Sequence, residues 1–240
     1  MKKRSKRFEL NLKQLQGVEK TPEKATKAEK MKFYEIAEAI DILKKLPPVK
    51  FDATIDMAIR LGIDTKKNEQ AMRGSLSLPK GIGKTRKVIV FATGAEADQA
   101  RAAGADEVGL EDLIKKIEGG WMDFDVAISP PALMRQVSKV GKILGPSGKM
   151  PSPKTGTVTD EISVAVKEFK AGKVEFRTDA TGIIHMPCGK MSFAAEDLTS
   201  NISAAIEHIK THKPAGVKGE FIRSITLSST MGPGLAIKIK

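Results

Sequence analysis

The sequence has a single cysteine, Cys188, so no disulfide can form within the chain, which fits a reducing compartment such as the cytoplasm. Aromatic residues make up only 5% of the 240, with one Trp and one Tyr. That is too few for a platform on which many bases of a single strand would stack. No apolar run approaches the roughly 20 residues needed to cross a bilayer. The charged start Met1-Lys2-Lys3-Arg4-Ser5-Lys6-Arg7 leads into no apolar segment of the secretory kind. No membrane partner is expected. Acidic charge is also in deficit, with 29 Asp and Glu against 41 Lys and Arg.

What is present is a globular composition, 40% hydrophobic and 29% charged, with a net charge of +12 and a pI near 9.6. An excess of this size favours a polyanionic partner, because Lys and Arg that neutralise phosphates release condensed counterions. The plainer alternative is a solvated basic surface with no such partner.

Residues 1–30 are Lys-rich with little that could form a core, and read as a basic arm. Over 32–46, Phe33, Ile36, Ala37, Ile40 and Leu43 recur at helical spacing, and Pro47-Pro48 stops the helix. In the next segment Ala53, Ile55, Met57 and Ile59 alternate with polar residues, which predicts a half-buried strand with a polar outer face. Residues 64–74 read as a loop. The apolar run at 87–92 then suits a parallel strand buried on both faces. Helices at 96–103, 110–118, from Pro131 to about Lys142 and at 160–171, with strands near Glu107-Val108 and at 124–129, complete a doubly wound pattern. From Lys173 alternation returns. Segments 173–178 and 182–186 read as an antiparallel hairpin around Asp179-Ala180-Thr181, followed by a helix at 195–210 and a strand at 221–229. The expected fold class is α/β with two domains. A discontinuous α+β domain, 31–80 with 173–240, is interrupted by a Rossmann-like doubly wound insertion at 81–172.

Several fragments invite enzyme chemistry. Gly81-Ile82-Gly83-Lys84-Thr85 ends like a phosphate-binding loop, but Leu78 stands where the motif needs Gly, and the segment precedes a strand. The stretch Ala92-Thr93-Gly94-Ala95-Glu96-Ala97 after the first inserted strand has one Gly and no dinucleotide fingerprint. His208 and His212 have a metal-binding spacing, with no third ligand nearby. Cys188 lies three residues from His185, but no orienting base is visible. No catalytic residue, metal or cofactor is expected. A nucleotide-dependent enzyme using the insertion and a basic module without RNA specificity are the competing readings.

Six segments in order carry a resemblance: Lys50-Phe51-Asp52-Ala53-Thr54-Ile55-Asp56, Arg73 to Gly81, Gly120-Trp121-Met122-Asp123-Phe124-Asp125, Leu144 to Pro151, Gly172-Lys173-Val174-Glu175-Phe176-Arg177, and Ser229-Thr230-Met231-Gly232-Pro233. Together they resemble the bacterial large ribosomal subunit protein L-one family, from about Phe33 to Gly232. Lys6-Arg7-Phe8 is similar to the family's start. Lys80 stands where that family usually has His, and residues 20–30 have no clear counterpart.

The resemblance implies a non-enzymatic protein of the cytoplasmic ribosome. Its expected partners are the large-subunit ribosomal RNA at the mobile stalk, exit-site transfer RNA whose release in deacylated form it assists, and its own operon messenger RNA as a translational repressor. No homo-oligomer is expected. On the family pattern the RNA-binding residues are Lys6, Arg7, Lys50, Phe51, Thr54, Asp56, Lys173, Glu175, Arg177, Ser224, Thr230, Met231 and Gly232, with hinges at Pro79, Gly81 and Gly172. Lys50, Lys173 and Arg177 suit phosphates. Thr54, Ser224 and Thr230 offer hydroxyls to a ribose 2′-OH or a base edge. Phe51 and Met231 supply apolar surface, Gly232 allows close approach, and Asp56 and Glu175 accept hydrogen bonds. The loop at 145–151 reads as facing RNA or a hinge. The plain alternatives are a core Phe51, an ordinary turn at 230–233, and solvated strand charges at Lys173 and Arg177.

Overall fold

In the computed structural model the described residues are 32–47, 49–65, 70–214, 216–217 and 219–238. The expected basic arm, with Lys6 and Arg7, lies outside them. In chain order the elements are β1 (Phe33–Tyr34), α1 (Ile36–Lys45), β2 (Thr54–Leu61), β3 (Arg73–Ser77), β4 (Val88–Phe91), α2 (Ala95–Ala102), β5 (Glu107–Gly109), α3 (Glu111–Glu118), β6 (Val126–Ile128), α4 (Ile162–Ala171), β7 (Lys173–Arg177), β8 (Ile183–Lys190), α5 (Ala195–Thr211), β9 (Ile222–Ser229) and β10 (Gly234–Ile237). A run of short α and 3-10 turns from Pro131 to Leu144 lies between β6 and α4. The chain divides into two compact units: residues up to Met72 with Leu78–Ile82 and Phe176 onward, and Arg73–Ser77 with Gly83–Glu175.

The first unit is built on a five-stranded sheet in the order β1-β10-β9-β2-β8. It is antiparallel except where β1 runs parallel to β10. Its inner face follows from the alternation read in the sequence: Ile55, Met57 and Ile59 of β2, Ile225 and Leu227 of β9, and Leu235 and Ile237 of β10 are all buried. Burying each such side chain contributes about 1.5–3 kcal/mol. Helix α1 buries Ala39, Ile40 and Leu43, and α5 buries Leu198, Ile202, Ala205 and Ile209, on spacings that put each set on one helical face. Both helices pack on sheet strands, α1 on β9 and β10 and α5 on β8. A capping box between Glu35 and Glu38 starts α1. It begins four residues later than the periodicity predicts, because Phe33 and Tyr34 pair with Ala236 and Ile237 as an edge strand.

The second unit has a three-stranded parallel sheet in the order β5-β4-β6. All four residues of β4 are buried, as an all-apolar central strand requires. On one face Val88, Val90 and Ile128 pack with Ala97 and Ala100 of α2 and Val166 and Phe169 of α4. On the other, Ile89 and Phe91 pack with Leu113 and Ile117 of α3 and with Val137, Val140 and Leu144. This is the doubly wound arrangement.

The expected hairpin at 173–186 does not form. β7 pairs with β3, and β8 pairs with β2. Only an isolated bridge, Thr178 to Ile184, joins the two segments. The turn between them is still built locally: the Asp179 carboxylate accepts from the Thr181 and Ile183 amides, each at 2.8 Å. These bonds hold its pKa down to about 2. Turn chemistry thus fixed the reversal, while the long alternating edge of β2 took β8. The strand β3, with Leu76 buried, begins inside what reads as the end of a polar loop.

Candidate nucleic-acid interface

The alternation that buries one face of the large sheet leaves Thr54, Asp56, Ala58 and Arg60 of β2 on the other. In register with them are Ser224, Thr226 and Ser228 of β9 and His185 and Pro187 of β8. One row runs across five strands as Phe33, Ala236, Thr226, Ala58 and His185. Its middle is small, so a bulky partner can approach the backbone closely. Phe33 at one end and His185 at the other are exposed.

At the end of this face two loops meet. Phe51 precedes β2 and Met231 follows β9; they are 52% and 56% exposed, unusual for large apolar side chains. Both line a cavity of about 560 Å³ together with Leu46, Pro47, Met191 and Gly232. Lys50, beside Phe51, is exposed. The two loops are tied by Thr54 and Thr230. The Thr230 amide donates to the Thr54 carbonyl at 3.0 Å, the Thr54 amide donates to Thr230 Oγ1 at 3.0 Å, and that hydroxyl donates back to the same carbonyl at 3.2 Å. Gly232 closes the turn with its backbone N–H donating to the Ser229 carbonyl at 2.9 Å. A Cβ there would lie 2.1 Å from Ser229 Oγ, so only glycine fits without displacing that side chain.

Lys190, which sequence reasoning passed over, sits at the same place. Its ammonium donates to Thr54 Oγ1 at 3.1 Å and to the Asp52 carbonyl at 3.2 Å. An ammonium has three donors, so one remains. The Asp52 carboxylate is taken by Ser192, through its hydroxyl at 2.9 Å and its amide at 3.3 Å. Among the described residues Lys190 thus forms no ion pair with Asp52, and its third donor is left near the apolar pair. Asp56, two residues along β2, is pushed upward in pKa mainly by desolvation, with the charges of His185 and Lys190 opposing. The only sequence signal for Lys190 was its strand position, which needs β8 to be paired with β2.

The other expected site residues are distributed as follows. Ser224 is half-buried in register with Arg60, and Arg177 is exposed in the first unit. Lys173 and Glu175 belong to the second unit and are already engaged. Lys173 is 17% exposed, pairs with Glu168 at 2.7 Å and lies over the Phe169 ring. Glu175 is raised in pKa by desolvation, with Arg73, Arg86 and the Thr155 hydroxyl nearby. In the 145–151 loop, the Lys149 ammonium is spent on the Met122 and Phe124 carbonyls.

Near the expected hinge at Pro79 and Gly81, a fully buried amide does the holding. Asn201 accepts from the Lys80 amide at 3.0 Å and donates to the Gly81 and Cys188 carbonyls at 2.9 and 2.8 Å. Gly81 has φ +63° and Gly172, which caps α4, has φ +110°. Both are conformations that glycine adopts without strain.

The enzyme-like fragments resolve differently. Lys84 pairs with Asp125 at 3.2 Å, and its segment leads into β4 rather than a helix. The first turn of α2 carries Glu96 and Asp98, which disfavour a pyrophosphate at that helix end. His208 and His212 stack with ring centroids 4.1 Å apart rather than converging, and among the described residues no group of three or more ligating side chains is arranged for a metal. Burial pushes the Cys188 thiol up to about 12, far from a reactive thiolate. Among the described residues no helix is long and apolar enough to cross a membrane.

A sheet-and-helix unit interrupted by a doubly wound one, with an open patch of one cation, two threonines and two exposed apolar side chains, defines a two-unit α/β protein with a mixed-polarity surface site. The chain belongs to the ribosomal protein L1p/L10e family, which it matches over residues 43–233. It is 51% identical over 209 residues to the large ribosomal subunit protein uL1 of Protochlamydia amoebophila (strain UWE25), covering 87% of this chain and 89% of that protein.

Proposed function

We propose that this chain is a structural, non-enzymatic constituent of the large ribosomal subunit. It binds large-subunit ribosomal RNA with the outer face of its five-stranded sheet and the 230–232 turn. The family supports ribosomal RNA as the partner. The observation that carries the site is the exposed Phe51–Met231 pair beside Lys190 and the Thr54–Thr230 staple. RNA recognition of a folded fragment needs apolar surface for exposed sugars or bases, hydroxyl partners for 2′-OH groups, and cations for phosphates. All three lie within one end of one sheet. Lys50, Asp56, Arg177 and Ser224 extend the contact along the loops and strands, and Gly232 gives close approach. Lys6 and Arg7 add phosphate contacts from the arm. Lys173 and Glu175 act at most indirectly, since their side chains already have partners.

The finer reading places this RNA at the mobile stalk beside the transfer RNA exit site, where the chain assists release of deacylated transfer RNA from the cytoplasmic ribosome. Bending about Pro79, Gly81 and Gly172 would serve that role. A similar fold in the chain's own operon messenger RNA would make it a translational repressor. Nuclease footprinting of large-subunit RNA tests the core claim. The wild-type chain protects one discrete stalk fragment, and Phe51→Ala and Met231→Ala variants with native circular dichroism lose that protection. Protection that persists in both variants removes the site.

A further inference from the structure

Burial decides which sulfur atoms of this chain an oxidant can reach. The single thiol, Cys188, is buried, and desolvation pushes it up to about 12, so almost none of it is the thiolate that peroxides attack. Among the described residues Met57, Met72 and Met186 are buried, and Met122, Met134, Met150 and Met191 are half-buried. Met231 is the exposed one, at 56%. The turn that carries it is held on both sides. Thr230 is bonded to the Thr54 backbone, and the Gly232 N–H donates to the Ser229 carbonyl. Met231 therefore stands out on a fixed turn, where it lines the cavity of about 560 Å³ together with the exposed Phe51.

We propose that Met231 is a reversible oxidation site, through which a peroxide switches off RNA binding by this face. The inference rests on the sheet-face reading of the RNA site. In the step, the thioether sulfur gives an electron pair to one peroxide oxygen. The O–O bond breaks and an S–O bond forms. Sulfur is oxidised to the sulfoxide, and the peroxide is reduced, leaving as water. The side chain stays neutral but becomes polar. Apolar surface offered to an exposed sugar or base is thereby replaced by a hydrated dipole, whose water must be stripped on binding. A dithiol-dependent sulfoxide reductase removes the oxygen as water and restores the thioether, its own dithiol becoming a disulfide. RNA on this face covers Met231, so the free chain is the sensitive form and the RNA-bound chain is shielded.

The test treats the full chain with dilute hydrogen peroxide, both free and saturated with a stalk fragment of large-subunit RNA. Peptide mass mapping locates the added oxygen, and filter binding across a salt series reads affinity. In the free chain Met231 should gain oxygen before the other described methionines, with circular dichroism unchanged. Affinity should then fall about tenfold, from the lost apolar contact. The salt slope should stay the same, because no charge has changed. Sulfoxide reductases of both epimer specificities should restore the affinity. Bound RNA should slow oxidation of Met231 relative to a methionine peptide in the same tube. A Met231→Leu chain, whatever its starting affinity, should keep that affinity through the peroxide treatment. Earlier oxidation of another described methionine overturns the proposal and leaves the sheet-face site standing. So does a loss that the reductases do not reverse, an equal loss in Met231→Leu, or a Met231 sulfoxide that binds like the untreated chain. Met231 oxidised as fast with RNA bound as without it overturns both the proposal and the sheet-face site.

Discussion

Thr54 and Thr230, 176 positions apart in sequence, exchange three hydrogen bonds that join the start of β2 to the turn after β9. The Thr230 hydroxyl both accepts from and donates to the Thr54 backbone. It is thus a staple between two loops more than a free donor for RNA, and it sets the spacing of Phe51 and Met231.

Thr230→Val removes the hydroxyl while keeping the shape. It leaves the Thr54 amide without its side-chain acceptor, a loss of about 1–3 kcal/mol where water cannot replace it. Affinity for the ribosomal RNA fragment should fall about tenfold, and Thr230→Ser should restore most of it. Equal affinities in a filter-binding assay for wild type and valine variant would show that the staple has no part in recognition.

Lys190 and Met231 should differ in kind. Lys190→Met is expected to weaken binding and reduce the salt slope by about one, since one phosphate contact is lost. Met231→Ala should weaken binding with the slope unchanged. A Lys190→Met variant whose salt slope matches wild type would mean that its ammonium serves only Thr54 and Asp52.

Asn201→Leu should destabilise the first unit. The buried amide satisfies the Lys80 amide and the Gly81 and Cys188 carbonyls, and leaving such groups unpaired costs about 2–4 kcal/mol in total. Urea unfolding followed by circular dichroism reads this as a lower midpoint; an unchanged midpoint would show that water substitutes for the amide.

Asp179 gives a pH dependence of defined sign. Its carboxylate is favoured in the folded turn, so its pKa falls from 3.8 to about 2. The folded state then binds fewer protons than the unfolded one. The contribution is complete above the unfolded value and disappears as the pH drops from about 4 to 2. The stability gap between wild type and Asp179→Asn should close over that window. A gap that is constant from pH 6 to 2 would contradict this assignment.

Much of the architecture was legible from the chain alone. Ile55, Met57 and Ile59 alternate because one face of β2 is buried, and β4 is apolar throughout because both of its faces are. Local periodicity and glycine stops suffice for such elements, since each is decided by its own burial pattern. The exposure of Phe51 and Met231 is something no periodicity could have shown.

Partnership was decided only by the tertiary structure. Nothing local told β7 to pair with β3 or β8 with β2, because a strand's alternation fits any edge of matching polarity. Lys190 became part of the site through that pairing, and Lys173 and Glu175 were drawn into the second unit by their own neighbours. The same holds for charge. Composition set the excess of cations, but an ammonium's availability depends on what lies within about 4 Å of it. Lys149 is spent on two carbonyls, whereas Arg135, Lys139 and Lys142, a few residues away, are exposed.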